Sequence, residues 1–348
     1  MSLSEAQPRP SAALEAFIAN LPKAELHVHH VGSASPAIVA ELAARHPGRV
    51  PSDPDALAEY FTFTDFAHFI DLYLSVVDLV RTPEDIWTLT HGIAQELARQ
   101  QVRYVELTCS PVTNVRAGVP IEAFVDAIED VRVVAERDLG LTMRWIWDIP
   151  GELGLPAGVE TLGYALDHGP SSLIGFGLGG PEIGVPRPQF ADVYAKARAA
   201  GLHAIPHAGE TTGPQTIWDA INLLGAERIG HGTSAVQDPA LLVYLAEHHI
   251  PVEVSPTSDI ATRAVATFAE HPLRAMVEAG VPVSINSDDP PMFSTTLTAE
   301  YGVAAALLDL DEAGIADLAL AAVDHSFAPD SVKPNLRDEI GAYAADHA

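Results

Sequence analysis

Histidines and carboxylates occur in this chain at positions that suit a metal ion. His27 and His29 are one residue apart, so both imidazoles would lie on the same side of a strand. His207, His231 and the pair Asp288–Asp289 each follow a short apolar run. Two or three histidines with a carboxylate suit Zn²⁺ or Fe²⁺. The His27–His29 pair alone could equally be two hydrogen-bonded core residues, but the whole set predicts a metal site.

Glu210 adds a possible proton-transfer group, because it follows His207 by three residues. A carboxyl group beside a metal-activated water is a candidate general acid or base. The alternative is a glutamate that interacts with the positive end of a helix. Cys109 is the single cysteine, which excludes an internal disulfide and a cysteine-based zinc site. Gly179 and Gly180 stand where two-metal barrel hydrolases carry a bridging carbamylated lysine, so we expect one metal ion.

The elements that must position these residues alternate between short β-rich runs and helical segments such as 83–99 and 239–248. The predicted strands are 24–30, 102–109, 142–149, 173–178, 203–207, 228–231, 252–255 and 281–287. This alternation predicts a parallel sheet in an α/β fold. Reactive residue types stand at the ends of most of these strands, including Glu106 and Asp148. That distribution favours a closed (β/α)₈ TIM barrel, since an open doubly wound sheet gathers its ligands near one switch point.

A segment from about 35 to 81 interrupts the alternation after the first strand. It carries an aromatic stripe at partly helical spacing, formed by Phe61, Phe63, Phe66, Phe69 and Tyr73. We expect helices packed on the barrel rim, and the same helices could act as a lid over the mouth. The whole chain, 1–348, is expected to form one domain, because α/β barrels commonly exceed 250 residues.

The formal net charge of −28 limits the possible partners. A strongly acidic protein repels nucleic acid and anionic membrane surfaces, so we expect neither as a partner. No run of 18 apolar residues is present to span a membrane. The first residues lack a basic region followed by a long apolar run, so a cytoplasmic location is expected.

A family resemblance is carried by six segments, which occur in the order LPKAELHVHHVGS, GFGLGGPE, HAGE, RIGHGT, SPTSD and SINSDDPPMF. Together they resemble the adenosine deaminase family of amidohydrolases over roughly residues 21 to 306. The resemblance implies a TIM barrel with a mononuclear metal site at the C-terminal strand ends. It also implies a small-molecule adenine nucleoside as substrate and hydrolytic removal of the exocyclic amine.

The resemblance further implies a role for each matching position. One divalent metal ion, Zn²⁺ or alternatively Fe²⁺, would be bound by His27, His29, His207 and Asp288. Glu210 would protonate ring N1, and His231 would orient the hydroxide that attacks C6. Asp289 would contact N7, and the backbone N–H of Gly180 would donate to N3.

One position departs from the adenosine deaminase pattern. Those enzymes read HxHLDG, and their aspartate contacts the ribose 5′-hydroxyl, whereas this chain has Val31 there. Valine cannot accept a hydrogen bond, so the substrate is expected to carry carbon at the 5′ position. The segments HVHHVGSASP, YFTFTDFAHFIDLYLSVVDLVRTPED, GLGGPEIGVPRPQF and HAGETTGPQT resemble a subgroup, the actinobacterial 6-aminodeoxyfutalosine deaminases of menaquinone biosynthesis.

That subgroup acts on an adenine nucleoside whose 5′ carbon bears an aryl ketone with a carboxylate. An acidic protein then needs a local cation, for which Arg187 and His30 are candidates. A solvated loop arginine and a histidine packed behind the strand are the alternatives. Phe66 and Phe69 are candidates for contact with the aryl group. Asp259 places a charge where relatives usually have asparagine, and its contact with ligand is left open.

The sequence leaves four alternative functions open. Deamination of adenosine, 5′-deoxyadenosine or 5′-methylthioadenosine is the main alternative, and Val31 suits the last two better. Adenine deamination fits less well with the long insertion. A non-catalytic nucleoside-binding relative conflicts with the intact metal and acid positions. A phosphoesterase on the same barrel conflicts with the Glu210 and Asp289 pair, which suits a protonatable purine.

Overall fold

Eight parallel strands in sequence order form the centre of the molecule. A computed structural model describes residues 6–62 and 66–347. The strands are β1 (Lys23–His29), β2 (Val102–Cys109), β3 (Thr142–Pro150), β4 (Leu173–Gly179), β5 (His203–Ala208), β6 (Ile229–His231), β7 (Val252–Val254) and β8 (Val283–Ile285). They are largely apolar because in a barrel both faces of each strand are buried.

The sheet closes on itself between β8 and β1. The N–H of Asp288 donates to His27 O and the N–H of His29 donates to Asp288 O, both at 3.0 Å. Below these bonds, Leu26 N donates to the side-chain Oδ1 of Asn286 at 3.1 Å. The predicted (β/α)₈ barrel is therefore confirmed, with strand boundaries that differ by one or two residues. The strand expected at 281–287 is the most shortened, since Pro282 has no N–H to donate.

Helices connect and surround the strands. They are α1 (Ala12–Asn20), α2 (Pro36–Arg45), α3 (Pro54–Tyr60), α4 (Phe66–Val77), α5 (Pro83–Arg99), α6 (Pro111–Arg116), α7 (Ile121–Val134), α8 (Gly154–His168), α9 (Ala191–Ala199), α10 (Pro214–Asp219), α11 (Pro239–Glu247), α12 (Pro256–Ala261), α13 (Leu273–Glu278), α14 (Leu297–Leu308), α15 (Glu312–His325) and α16 (Lys333–Ala345). Four of them begin with a capping Ser, Asp or Thr followed by proline, as in Thr82–Pro83. Such caps accept hydrogen bonds from the free N–H groups of the first turn. Within the described residues, no helix combines the length and apolar character needed to cross a bilayer.

The inserted segment contains three helices, α2, α3 and α4, between β1 and α5. Asp85 of α5 ties this segment to the barrel. Its carboxylate contacts His46 Nε2 at 2.7 Å and Arg45 Nη1 at 3.3 Å, and it also accepts hydrogen bonds from Thr82. Phe63 lies outside the described residues, as do the side chains of Phe66 and Phe69.

Alternation along β3 shows which side chains enter the barrel. Trp145 Nε1 donates to Glu129 of α7 at 2.6 Å, and the Trp147 ring lies 6.3 Å from the Phe124 ring of the same helix. Both tryptophans therefore point outward. Since successive side chains of a strand point to opposite faces, Ile146 and Asp148 point inward.

Candidate active site

The ends of three strands bring four histidines together. His27 and His29 come from β1, His207 from β5 and His231 from β6. The ring centroid of His27 lies 5.2 Å from that of His29, 4.6 Å from that of His207 and 4.9 Å from that of His231. Residues up to 204 positions apart in sequence thus share one point at the C-terminal mouth of the barrel, where sites of this fold are found.

Asp288 joins this cluster from the segment that follows β8. Its Oδ1 lies 2.8 Å from His29 Nδ1 and 3.6 Å from His27 Nε2. Ser258 Oγ donates to Oδ2 of the same carboxylate at 2.5 Å. The nearby histidines, which donate hydrogen bonds and positive charge, hold the pKa of Asp288 well below its usual range despite burial. A carboxylate beside several imidazole nitrogens is a donor set for a divalent metal ion.

Two further features show that these residues fit a metal ion. Ligand atoms of His27, His29 and His207 lie within 4.8 Å of one another, and so do those of His27, His231 and Asp288. His27 Nε2 and His207 Nδ1 are buried and have no hydrogen-bond partner in the part of the chain that the structure describes. Burying such nitrogens is costly unless something binds them. Burial and the neighbouring histidines keep the pKa of His207 well below its usual value, and a neutral imidazole is the form that binds metal.

His27 is oriented by a residue that the sequence did not suggest. Its Nδ1 lies 2.6 Å from Glu253 Oε2, which places the ring proton on Nδ1 and leaves Nε2 facing the cluster. The other oxygen of Glu253 pairs with Arg228, which also pairs with Glu106. All three side chains are fully buried. Glu106 was expected among the reactive strand-end residues, and this is wrong, because it lies mid-strand and is paired with Arg228.

Glu210 lies beside His231. The distance from Glu210 Oε2 to His231 Nε2 is 3.9 Å. Burial raises the pKa of Glu210, so a larger fraction of its carboxyl group is protonated near neutral pH. Burial alone would lower the pKa of His231, but the charge of Glu210 and the hydrogen bond to Asp259 raise it to about 10. The pair thus places a carboxyl group next to an imidazole, and the pKa values of both groups are raised.

Asp259 holds the His231 ring through Nδ1, the ring nitrogen that does not face Glu210. Its Oδ1 contacts His231 Nδ1 at 3.1 Å, and its Oδ2 contacts His271 Nε2 at 3.1 Å. The sequence left the contact of Asp259 with ligand open, and both of its oxygens are used to hold histidines. No sequence pattern links Asp259 with His231, since 28 residues separate them.

Glu182 and Arg187 shape the turn that carries Glu210. The Glu182 carboxylate accepts hydrogen bonds from the N–H groups of Gly209 and Thr211, each at 2.6 Å. The guanidinium of Arg187 is fully buried and donates to His207 O at 3.1 and 2.9 Å. The geometry argues against the expectation that Arg187 meets a substrate carboxylate, because these donors are directed at the backbone of β5. Glu182 stands in the GFGLGGPE segment that carries the family resemblance, but no role was predicted for it.

Asp289 and Gly180 are the two positions expected to contact the purine ring. Burial and the charge of Asp288 raise the pKa of Asp289, whose buried Oδ1 has no hydrogen-bond partner among residues 6–62 and 66–347. A protonated Asp289 could donate to a ring nitrogen. Gly180 has a φ of +74°, and a Cβ there would lie 2.6 Å from Glu152 Oε2. The positive φ therefore favours glycine at this position.

The side of the mouth near β1 combines apolar and aromatic groups. Val31 is partly buried against the core. His30 points behind the strand, where its Nε2 contacts Thr90 Oγ1 at 2.8 Å, and burial lowers its pKa to about 4. A neutral histidine packed there cannot be the cation for a substrate carboxylate, so that expectation is wrong. Burial raises the pKa of Tyr73 of α4, and the Asp289 and Asp148 carboxylates raise it further.

Comparison with known proteins agrees with this geometry. The family model described as adenosine deaminase matches residues 22–343. A protein of Streptomyces avermitilis named aminodeoxyfutalosine deaminase is 63% identical, and the match covers 95% of this chain and 94% of the relative. An adenine deaminase from Arthrobacter aurescens has a similar structure, with a TM-score of 0.88, 31% identity and coverage of 93% of this chain and 99% of that one. An amidohydrolase from Burkholderia ambifaria with bound Zn also has a TM-score of 0.88, at 25% identity, and the match covers 97% and 95% of the two chains. On its site, its barrel and these matches, the chain belongs to the adenosine deaminase family.

Proposed function

We propose that this enzyme hydrolyses the exocyclic amine of 6-aminodeoxyfutalosine and releases futalosine and ammonia, a step of menaquinone biosynthesis. The observation that carries the proposal is the 63% identity to the Streptomyces avermitilis aminodeoxyfutalosine deaminase over 95% of the chain. Val31 supports it, because its side chain suits a 5′ carbon substituent better than a free hydroxyl group.

The metal is proposed to be a single Zn²⁺ ion bound by His27, His29, His207 and Asp288. The donor set of three histidines and one carboxylate suits zinc, and the Burkholderia relative was solved with bound Zn. When bound, such an ion lowers the pKa of water toward neutrality and makes hydroxide available.

The chain's own residues would hold and protonate the purine. Glu210 donates a proton to N1, which removes negative charge that would otherwise develop on the ring during attack at C6. Burial raises the pKa of Glu210, which makes this carboxyl group easier to protonate than an exposed glutamate. The cationic His231 lies within the histidine cluster and stabilises negative charge near C6.

Orientation of the ring would come from two further contacts. Asp289, with its raised pKa, donates to N7, and the N–H of Gly180 donates to N3. Together with Glu210 they contact three ring nitrogens and set C6 toward the metal cluster. Fixing a ring at three points converts the attack on C6 into a reaction within one complex.

The first test compares kcat/KM for aminodeoxyfutalosine, 5′-methylthioadenosine, adenosine and adenine, with metal content assayed in the same preparation. We expect a preference of about 100-fold for aminodeoxyfutalosine, equivalent to about 2.7 kcal/mol of transition-state discrimination. Equal or better turnover of adenosine would instead assign the enzyme to purine salvage. The second candidate, 5′-methylthioadenosine, is favoured only by the tolerance of Val31 for a 5′ carbon.

The role of Glu210 is tested with Glu210→Gln, which keeps the size of the side chain and removes its acidic proton. We expect kcat to fall by a factor of about 100 to 10,000, while bound metal stays equimolar with protein. Metal content measured by mass spectrometry is the control. Retention of wild-type kcat would show that another group protonates the ring.

A further inference from the structure

Asp148 is a buried carboxylate that the reaction described above does not use. It lies near the end of β3 and is 5% exposed. Its Oδ1 has no hydrogen-bond partner in the described structure. Burying an acceptor without a partner costs free energy in the protein alone. A bound molecule that donates to this oxygen would recover that cost.

The carboxylate faces the mouth of the barrel. Trp145 and Trp147 point outward to α7, so Asp148 points inward. Two glycines of the neighbouring β4 leave room for it. A Cβ on Gly177 would lie 2.8 Å from Asp148 Oδ1, and one on Gly179 would lie 2.5 Å from Oδ2. Larger residues at either position would occupy the space that this carboxylate fills.

Asp148 is also within electrostatic reach of the histidine cluster. Burial raises its pKa to about 7, and the charges of His29 and His27 act in the opposite direction. Glu152, the other carboxylate on this side, has an exposed side chain and lies beside Gly180. Of these two carboxylates, Asp148 is therefore the buried one.

The shape of a purine indicates what would reach Asp148. If N1 meets Glu210 after β5, N3 meets Gly180 after β4 and N7 meets Asp289 after β8, then N9 faces away from Glu210. The sugar on N9 must then lie over the arc of the barrel formed by β1, β2 and β3. Val31 offers an apolar surface on this arc, and Asp148 offers a hydrogen-bond acceptor.

We propose that Asp148 is a substrate-binding residue that accepts hydrogen bonds from the ribose 2′- and 3′-hydroxyls and makes the enzyme specific for ribonucleosides. This rests on the proposed function only in requiring an adenine nucleoside as substrate. A carboxylate can accept from two adjacent hydroxyls at once, and charged acceptors form the stronger hydrogen bonds. Sites built to bind a hydroxyl strongly reject analogues that lack it.

The experiment measures kcat/KM of the wild type, Asp148→Ala and Asp148→Asn on adenosine, 2′-deoxyadenosine and 3′-deoxyadenosine. For the wild type, we expect kcat/KM to be lower by about 100-fold or more for at least one deoxy analogue than for adenosine. On adenosine, kcat/KM of Asp148→Ala should fall by a similar factor. On the affected deoxy analogue, its kcat/KM should stay within a few-fold of the wild-type value. Such a change in the ribo-to-deoxy ratio is a direct coupling between the residue and the hydroxyl.

Glu152→Gln is the matched control, because it alters a carboxylate on the same side that is exposed, and its ribo-to-deoxy ratio should equal that of the wild type. Asp148→Asn keeps the size of the side chain and serves if the alanine variant does not fold. Calorimetric binding of inosine and 2′-deoxyinosine gives a readout apart from turnover.

An unchanged ribo-to-deoxy ratio in both Asp148 variants would overturn the proposal, and so would a loss of metal in proportion to the loss of activity. All these substrates share one 5′ group, so the result does not depend on which 5′ substituent the enzyme prefers. A failed preference for aminodeoxyfutalosine would therefore leave this test intact.

Discussion

The side chain of Glu253 shows how one residue outside the metal cluster can control it. It contacts His27 Nδ1 at 2.6 Å and pairs with the buried Arg228 on its other oxygen. Carboxylates that orient metal-binding histidines typically change metal affinity by 10- to 100-fold when they are replaced. The acidic oxygen also makes the ring of His27 more basic, which strengthens its bond to a metal ion.

We therefore expect Glu253→Gln to weaken zinc binding by about 10-fold or more, measured by competition with a chelator. Glu106→Gln is the matched control, because Glu106 pairs with the same Arg228 and does not contact His27. Both variants should lower the free energy of unfolding, since each removes one charge from a buried ion pair. If the two variants weakened zinc binding equally, general destabilisation would account for the effect and the orienting role would be wrong.

Site residues could be predicted from the sequence where their spacing or their position in the chain gave a signal. His27 and His29 stand out by their alternation, and Glu210 by its distance from His207. Glu253 gave no such signal, because 226 residues separate it from His27. Arg187 and His30 were assigned on charge alone, and only the packing shows that both are directed away from a ligand.

Among the elements, the turn after β1 is the most tightly constrained. Gly32 lies against Asp289, so that a Cβ there would be 1.5 Å from Asp289 Oδ1. The turn and the segment after β8 thus fit together only with glycine at this position. The conformation of the turn after β1 therefore determines where the Asp289 carboxyl group, which follows β8, can lie.

We expect Gly32→Ala to displace Asp289 and to lower kcat/KM by about 100-fold, the size of effect that a 1 Å misplacement can produce. Gly163→Ala in α8 is the control, because an added Cβ there meets no atom within 4 Å. That change should leave kcat/KM unaltered and raise stability by about 1 kcal/mol. Wild-type kcat/KM in Gly32→Ala would mean that Asp289 does not need its observed position.

The order and type of the helices and strands could be predicted from the alternation of apolar and helical segments. The residues at which these elements begin and end could not. Strand β8 covers three residues where seven were expected, because Pro282 has no N–H to donate and the bond from Leu26 of β1 goes to the side chain of Asn286 instead of its backbone. The inserted helices were expected from their aromatic spacing. Their attachment through Asp85 depends on His46 and Arg45, which lie far from it in sequence.

At the scale of the whole molecule, the charge of −28 acts on any substrate that approaches. Aminodeoxyfutalosine carries a carboxylate, so the field of the protein should slow its binding at low ionic strength. The Debye length falls from about 30 Å at 0.01 M salt to about 8 Å at 0.15 M. Most of the long-range repulsion is therefore screened under physiological conditions.

We expect kcat/KM for aminodeoxyfutalosine to rise several-fold between about 0.01 and about 0.15 M salt, as screening removes this repulsion. The neutral nucleoside 5′-methylthioadenosine is the control and should show little change over the same range. A decrease with salt for the carboxylated substrate would indicate a local positive field at the mouth that outweighs the total charge.

The seam between β8 and β1 is formed by the same residues that surround the proposed metal. Backbone bonds join Asp288 to His27 and to His29, and the side chains of these three residues face one another above the seam. Closure of the barrel and metal binding are consequently in thermodynamic linkage. Each must stabilise the other by the same free energy, so the enzyme's resistance to unfolding becomes a function of the concentration of free metal.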